Sequence, residues 1–189
     1  MPKPVTSRPP ILIVAGTNRP GSNALRVARI LKAKYDALSV PADVYPLTDL
    51  PAALFAPSAY AEKPREFLPV QQRVLDAAGV HLVVPEYNGG FPGVLKYFID
   101  MLKFPESFEG KPVAFVGEAA GQFGALRAVE QLQQVFAYRN AYLLPQRVFM
   151  PGIQSLLSED GTKVTNEAID GKLTEQVAAF ADFVRRLSA

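Results

Sequence analysis

The 189-residue sequence predicts a doubly wound α/β fold, in which one parallel β-sheet lies between two layers of helices. Short runs of β-branched and other apolar residues alternate along the chain with segments whose apolar residues recur at helical spacing. Strands that alternate with helices in this way form a parallel sheet that is covered on both faces. The length suits one domain with a full core, which we expect over residues 10–189 after a flexible segment over residues 1–9.

The first half of the chain predicts three strands and two helices, because apolar runs there end at glycine or proline. Ser22 is the expected N-cap of the first helix. The elements are a strand over 11–15, a helix from about Ser22 to Leu38, a weak strand over 43–47, a proline- and alanine-rich loop over 48–64, a helix over 67–78 and a strand over 80–84.

The second half continues the alternation. We expect a helix from Pro92 to about Lys103, a strand over 112–116, a helix from about Phe123 to Tyr138, a strand within 142–149 and a last helix over about 166–187. Five strands without a second domain suit the flavodoxin-like strand order 2-1-3-4-5, a three-layer α/β/α arrangement.

The composition excludes several kinds of chemistry. The chain has no cysteine and one histidine, which excludes disulfides, thiolate sites, cysteine nucleophiles and zinc sites built on several histidines. A Ser-His-Asp triad would need His81, which falls at the start of a buried strand, where a structural role is expected. We expect no metal site, so redox chemistry would need a cofactor.

Charge and hydropathy also limit the partners. The net charge of +2 is too small to indicate a nucleic-acid or membrane surface. No apolar run approaches the roughly 18 residues that a membrane span needs, and the first ten residues lack the apolar core of a secretory signal. The expected location is the cytoplasm.

Three unusual loops follow the first, third and fourth strands. In a doubly wound sheet, ligands bind beyond the carboxyl ends of the strands, where these loops lie. The first loop, residues 16–23, offers hydroxyls, the Arg19 guanidinium and backbone N–H groups at a helix N-terminus, which suits a phosphate. It lacks the Gly-Lys-Ser/Thr ending of a Walker loop. The alternative is an ordinary turn followed by an N-cap.

The second and third loops suit a flat ring. Residues 85–93 combine glycines, prolines and the aromatic side chains of Tyr87 and Phe91, and residues 117–125 are mostly small. The alternatives are a rigid turn whose aromatic side chains cap the core, and glycines that only fit a tight strand-to-helix crossing. Together the three loops favour a ligand with a phosphate at one end and a ring at the other.

The motifs in these loops resemble those of the NADPH-dependent FMN reductase family. The resemblance rests on residues 16–22, on Pro85-Glu86-Tyr87-Asn88 with residues 92–96, and on residues 110–113 with 121–127, and it covers about residues 10–185. It implies a flavodoxin-like fold, bound FMN, and NADPH or NADH as co-substrate. It also implies reduction of a flavin, quinone, azo or nitro compound or metal oxyanion, and a homodimer or homotetramer.

The resemblance also implies a set of cofactor-binding residues. Thr17, Arg19 and Ser22 would hold the phosphate, with Asn23 beside them, although Ala24 stands where many members have a further polar contact. Glu118 and Ala119 stand where many members have serines, and Ala125 where many have glycine. The whole expected set is Thr17, Arg19, Gly21, Ser22, Asn23, Pro85, Glu86, Tyr87, Asn88, Gly89, Glu118 and Gly121.

No side chain is expected to be a chemical catalyst, because hydride transfer between nicotinamide and flavin needs position rather than a nucleophile. Tyr87 is expected to shape the substrate side of the ring, and the cycle is expected to be ping-pong. A non-enzymatic flavodoxin-type electron carrier is the main alternative, and a module that has lost its cofactor is another. The aromatic residues Tyr97, Phe104 and Phe108 are expected at an oligomer interface, and Phe98 in the core.

Overall fold

The computed structural model describes residues 9–188, so the flexible segment predicted over residues 1–9 lies, apart from Pro9, outside the described residues. Five parallel strands form one sheet in the order β2-β1-β3-β4-β5, which confirms the predicted topology. The strands are β1 Ile11–Ala15, β2 Ala42–Pro46, β3 Gly79–Pro85, β4 Pro112–Ala119 and β5 Tyr142–Pro151.

Helices cover both faces of this sheet. They are α1 Asn23–Ala37, α2 Leu68–Asp76, α3 Gly93–Met101, α4 Leu126–Tyr138, the short α5 Ile153–Leu156 and α6 Glu167–Leu187. The buried apolar residues of α1 and α6 form one core cluster, and those of α2, α3 and α4 form the other. Four short 3₁₀ turns connect β2 to α2, at Leu47–Asp49, Ala52–Phe55, Pro57–Tyr60 and Arg65–Phe67, and the first three overlap the loop predicted over 48–64.

The alternation of side chains along β4 decides the direction of its last residues. Val113 and Phe115 belong to the core cluster under α2, α3 and α4, whereas Ala114 and Val116 belong to the cluster under α1 and α6. Successive side chains of a strand point to opposite faces. Glu118 therefore points to the face that α1 and α6 cover.

Two boundaries differ from the prediction near the third loop. β4 extends three residues beyond Val116, since Gly117 and Glu118 pair with β3 and β5. α4 begins at Leu126 rather than near Phe123, because Ala125 has a φ of 73°. A left-handed residue cannot belong to the helix, and glycine adopts this conformation at less cost than alanine.

The aromatic residues around α3 divide between core and surface. Phe98 is buried as predicted, but Phe108 is buried too and packs edge to face on Phe136, with ring centroids 4.8 Å apart. The prediction that Phe108 lies at an interface is therefore wrong, because its ring fills the core. Phe104 is 60% exposed, and it lines a groove of about 490 Å³ between α3 and α4.

His81 has a structural position, as predicted. It is fully buried in β3, and its Nδ1 lies 2.9 Å from the hydroxyl oxygen of Tyr35. The Phe180 ring packs against it at 5.4 Å. Burial lowers the pKa of His81 to about 4, against an opposing effect of the Gln176 side chain. Over residues 9–188 there is no helix with both the length and the hydropathy needed to cross a membrane.

Candidate functional site

The three loops meet at one edge of the sheet. β1, β3 and β4 are adjacent and parallel, so the segments that follow Ala15, Pro85 and Ala119 leave the sheet on the same side. Ligands of doubly wound sheets bind at this edge. The sequence predicted that these three loops lie at one edge, and the structure shows this and adds how the loops are held.

The first loop forms a cup of N–H donors at the start of α1. The Ser22 hydroxyl caps the helix by accepting a hydrogen bond from the backbone N–H of Leu25 at 3.2 Å. Within residues 9–188, the backbone N–H groups of Asn18, Gly21, Ser22 and Asn23 have no hydrogen-bond acceptor. Free N–H groups and the positive end of a helix dipole suit a phosphate.

The two side chains expected on either side of this cup have different surroundings. Arg19 is exposed at the rim, where its guanidinium is free to reach an anion. Thr17 is buried, and its hydroxyl accepts a hydrogen bond from the backbone N–H of Arg19 at 3.2 Å. Thr17 therefore fixes the shape of the loop, in addition to the phosphate contact that the sequence predicts.

A hydrogen bond joins the first loop to the second. Thr17 Oγ1 lies 3.0 Å from the Tyr87 hydroxyl, so the phosphate cup and the second loop are braced together. Gly16 makes the approach possible, because a Cβ at this position would lie 2.7 Å from the backbone oxygen of Val83. Sequence analysis counted Gly16 in the first loop but did not include it among the expected cofactor-binding residues, although its place directly after β1 was a signal.

The second loop contains a tight two-residue turn. Tyr87 and Gly90 exchange two backbone hydrogen bonds of 2.8 and 3.1 Å. Asn88 and Gly89 between them have φ values of 53° and 78°. Asn-Gly is the typical pair for such a turn. The turn leaves the Tyr87 side chain 39% exposed, so its ring is accessible at the edge of the site.

A cavity of about 380 Å³ lies between the second and third loops, and its lining includes Glu86, Asn88, residues 119–125 and Arg127. Its volume is in the range of small-molecule sites. A Cβ added at Gly89 or Gly121 would meet no atom within 4 Å. These glycines therefore face open space, and a flat group could lie directly against the backbone there.

Charged and aromatic groups border this cavity. Arg127 Nη1 lies 3.8 Å from Glu86 Oε1, and the Arg127 guanidinium lies 5.2 Å from the centre of the Phe123 ring. Glu86 Oε2 is buried and has no hydrogen-bond partner within the described part of the chain, so it is available to a ligand N–H. Sequence analysis did not select Phe123 or Arg127, whose roles depend on where α4 begins.

Glu118 occupies a different environment from the one expected. It belongs to β4 rather than to the third loop, and its side chain is only 6% exposed on the α1 face of the sheet. Burial raises the pKa of Glu118 to about 7, and a hydrogen bond from the backbone N–H of Ala24 acts in the opposite direction. The carboxyl group thus lies under the first turn of α1.

A second cavity lies on the outer side of this helix terminus. It has a volume of about 480 Å³, and its lining includes Gly21, Ser22, Arg26, Arg29 and residues 160–162. The start of α1 is therefore open to solvent at this cavity.

Comparisons with known proteins agree with this geometry. The model of the NADPH-dependent FMN reductase family matches residues 9–154. A quinone reductase of Escherichia coli is 30% identical over 183 residues, which are 94% of this chain and 96% of that protein. A quinone reductase of Pseudomonas putida is 31% identical over 182 residues, 93% of this chain and 94% of the relative.

Solved structures show the same fold. A flavoenzyme NAD(P)H:(acceptor) oxidoreductase of Paracoccus denitrificans superimposes with a TM-score of 0.76 at 23% identity, over 93% of this chain and 97% of that one. An oxidised flavodoxin of Bacillus cereus has a TM-score of 0.61 at 19% identity, over 92% and 98% of the two chains. The predicted flavodoxin-like fold and the family resemblance are confirmed.

Proposed function

The chain belongs to the NADPH-dependent FMN reductase family, a family of oxidoreductases that use FMN and NAD(P)H, and from this membership we propose that it binds FMN across its three loops and passes electrons from NAD(P)H to a small acceptor. The observation that carries the proposal is the hydrogen bond between Thr17 and Tyr87. It joins the loop that carries the free N–H groups to the loop whose residues Glu86, Asn88 and Gly89 line a cavity of suitable size for a ring.

The chain's own residues would bind and orient the cofactor. The N–H groups of residues 21–23 and the Arg19 guanidinium would hold the phosphate. The backbone of Gly89 and Gly121 would let the ring approach closely, because these residues face open space. The partnerless Glu86 Oε2 would accept a hydrogen bond from a ring N–H.

Bound FMN would supply the hydride chemistry, which no side chain of this site needs to perform. The protein would position the co-substrate and leave one side of the site open. Tyr87, partly exposed beside the cavity, would shape that side and offer an aromatic face to a flat molecule. Because one open side serves both reactants, we propose that NAD(P)H leaves before the acceptor binds, in a ping-pong cycle.

We propose a quinone as the acceptor class to test first, with flavins, azo and nitro compounds and metal oxyanions as the other acceptors that the family resemblance implies. Two relatives that are similar over more than nine tenths of this chain are quinone reductases. A 2-hydroxy-1,4-benzoquinone reductase of a Burkholderia species is 32% identical over 58% of this chain and 61% of its own length. A flat, conjugated quinone ring would also stack on the exposed ring of Tyr87.

Reconstitution tests the proposal. We expect protein incubated with excess FMN to keep about one equivalent of yellow flavin after gel filtration, and then to oxidise NADPH or NADH when a quinone is added. Gly121→Asp, which puts a charged side chain into the open space of the ring cavity, is expected to lose flavin while folding normally. A wild-type protein with no measurable FMN affinity would contradict the proposal.

The oligomeric state of the protein and its location in the cell are two further proposals. We propose a homodimer or homotetramer that uses the face of α3 and α4, where the exposed Phe104 and Tyr138 rings lie 6.3 Å apart beside the groove. A light-scattering mass equal to one chain of 20.6 kDa at micromolar concentration would contradict this. We also propose that the protein acts in the cytoplasm.

A further inference from the structure

Glu118 is a buried carboxyl group placed under the phosphate cup. The alternation of β4 directs its side chain to the α1 face, where Ala114 and Val116 pack against α1 and α6. It is 6% exposed, and the backbone N–H of Ala24, in the first turn of α1, favours its ionised form. The carboxyl group and any phosphate at residues 21–23 would therefore lie near the same helix terminus.

We propose that Glu118 controls the affinity for the FMN phosphate through its own protonation: the neutral acid permits binding, the carboxylate opposes it, and binding takes up a proton. This inference rests on the proposed function, because it places the FMN phosphate at the start of α1. It gives Glu118 a role at the phosphate end of the cofactor, whereas sequence analysis placed this residue in the loop expected to hold the ring.

The physical basis is competition for one positive helix end. A phosphate that is largely dianionic above its second pKa of about 6 draws on the N–H groups and dipole of α1. An ionised Glu118 uses the same end through Ala24 and repels the phosphate through an interior with little screening. A protonated Glu118 carries no charge, so it neither competes for the helix end nor repels the phosphate.

The charged side chains on the neighbouring elements do not shift the pKa of Glu118. The groups on the surrounding elements are Arg19 on the first loop, Arg26 on α1, Glu86 after β3 and Asp160 beside the second cavity, while β5 presents the uncharged Met150. Burial raises the pKa of Glu118 to about 7 against the lowering effect of the Ala24 N–H, and none of these charges contributes to the shift. A bound phosphate would raise that pKa further.

FMN affinity is expected to fall as the pH rises. Below about pH 7 Glu118 is mostly neutral in the free protein, and FMN affinity is high. As the pH rises, the free protein loses the proton that the complex keeps, so the affinity for FMN falls by up to about tenfold per pH unit. Riboflavin, which lacks the phosphate, is expected to bind with little dependence on pH.

The test measures dissociation constants for FMN and riboflavin by flavin fluorescence between pH 6.5 and 9. Three proteins are compared: wild type, Glu118→Gln, and Glu175→Gln as a matched control on the exposed side of α6. We expect the wild type and the control to lose FMN affinity above pH 7. Glu118→Gln is expected to bind FMN about tenfold more tightly than wild type at pH 8, with no decline, and riboflavin as wild type does.

A second measurement uses the wild type alone. Calorimetric titration with FMN at pH 7.5, in two buffers of different ionisation enthalpy, is expected to show uptake of a sizeable fraction of a proton. Release of protons, or the same pH dependence in Glu118→Gln as in wild type, would overturn the inference while FMN binding stands. Equal changes for riboflavin would place Glu118 at the ring and would also overturn it. Absence of FMN binding at every pH would instead overturn the proposed function.

Discussion

Arg19→Ala is expected to weaken FMN binding by about 1.5–3 kcal/mol, or roughly 10- to 150-fold, because a hydrogen bond between two charged groups is lost. Arg19 is exposed on the rim of the phosphate cup, and its hydrogen bond to the loop, among residues 9–188, runs from its backbone N–H to Thr17 Oγ1. The substitution therefore leaves the cup intact. Fluorescence titration of FMN and riboflavin measures the effect.

The controls separate a specific contact from a change of net charge. Arg65→Ala removes the same charge from an exposed position on the turn Arg65–Phe67, outside the three loops, and it is expected to change FMN affinity by less than about threefold. Riboflavin should bind the Arg19→Ala protein almost as well as wild type. Equal losses for FMN and riboflavin would show that Arg19 does not contact the phosphate.

The free energy of unfolding is expected to depend on two buried groups, His81 and Glu118, whose contributions change in opposite directions with pH. His81 is neutral in the folded protein because burial lowers its pKa to about 4 from 6.5. The unfolded chain therefore binds a proton first, and stability falls as the pH falls from about 6.5 to 4. Glu118, with its pKa raised to about 7 from 4.5, stabilises the fold most below pH 4.5 and loses this contribution as the pH rises to 7.

Each effect amounts to about 2–3 kcal/mol between pH 7 and pH 4.5, so the two nearly cancel in the wild type. In Glu118→Gln the effect of His81 is no longer offset, so the free energy of unfolding is expected to fall by about 2–3 kcal/mol as the pH falls from 7 to 4.5. In His81→Gln the effect of Glu118 is no longer offset, so the free energy of unfolding is expected to rise as the pH falls over the same range. Urea unfolding of the FMN-free proteins measures both, and parallel pH profiles for all three proteins would contradict the assignment.

The regular elements of the fold could be predicted because their signals are local. β1 is a β-branched run that ends at glycine, and the structure gives the predicted bounds Ile11–Ala15. The boundaries around β4 and α4 could not be predicted in the same way. Gly117 and Glu118 have weak strand propensity, and only their pairing with both neighbours extends β4 to Ala119.

The position of the candidate site could be predicted from the sequence, but the contacts between its residues could not. Residues 16–23 and 85–93 follow parallel strands, so their meeting at one edge follows from topology. The bond between Thr17 and Tyr87 spans 70 positions, and no pattern in the sequence indicates it. The direction of Glu118 depends on where β4 ends, since a residue counted in a loop has no fixed face.

The most direct test of the central claim is anaerobic stopped-flow reduction of the FMN-bound protein. NADPH and NADH are mixed separately with the yellow protein, and dithionite serves as the chemical control. We expect at least one nicotinamide nucleotide to bleach the flavin absorbance, and added quinone to restore it. If dithionite bleaches the flavin and neither nucleotide does, the reductase proposal is contradicted, and a flavodoxin-type electron carrier replaces it.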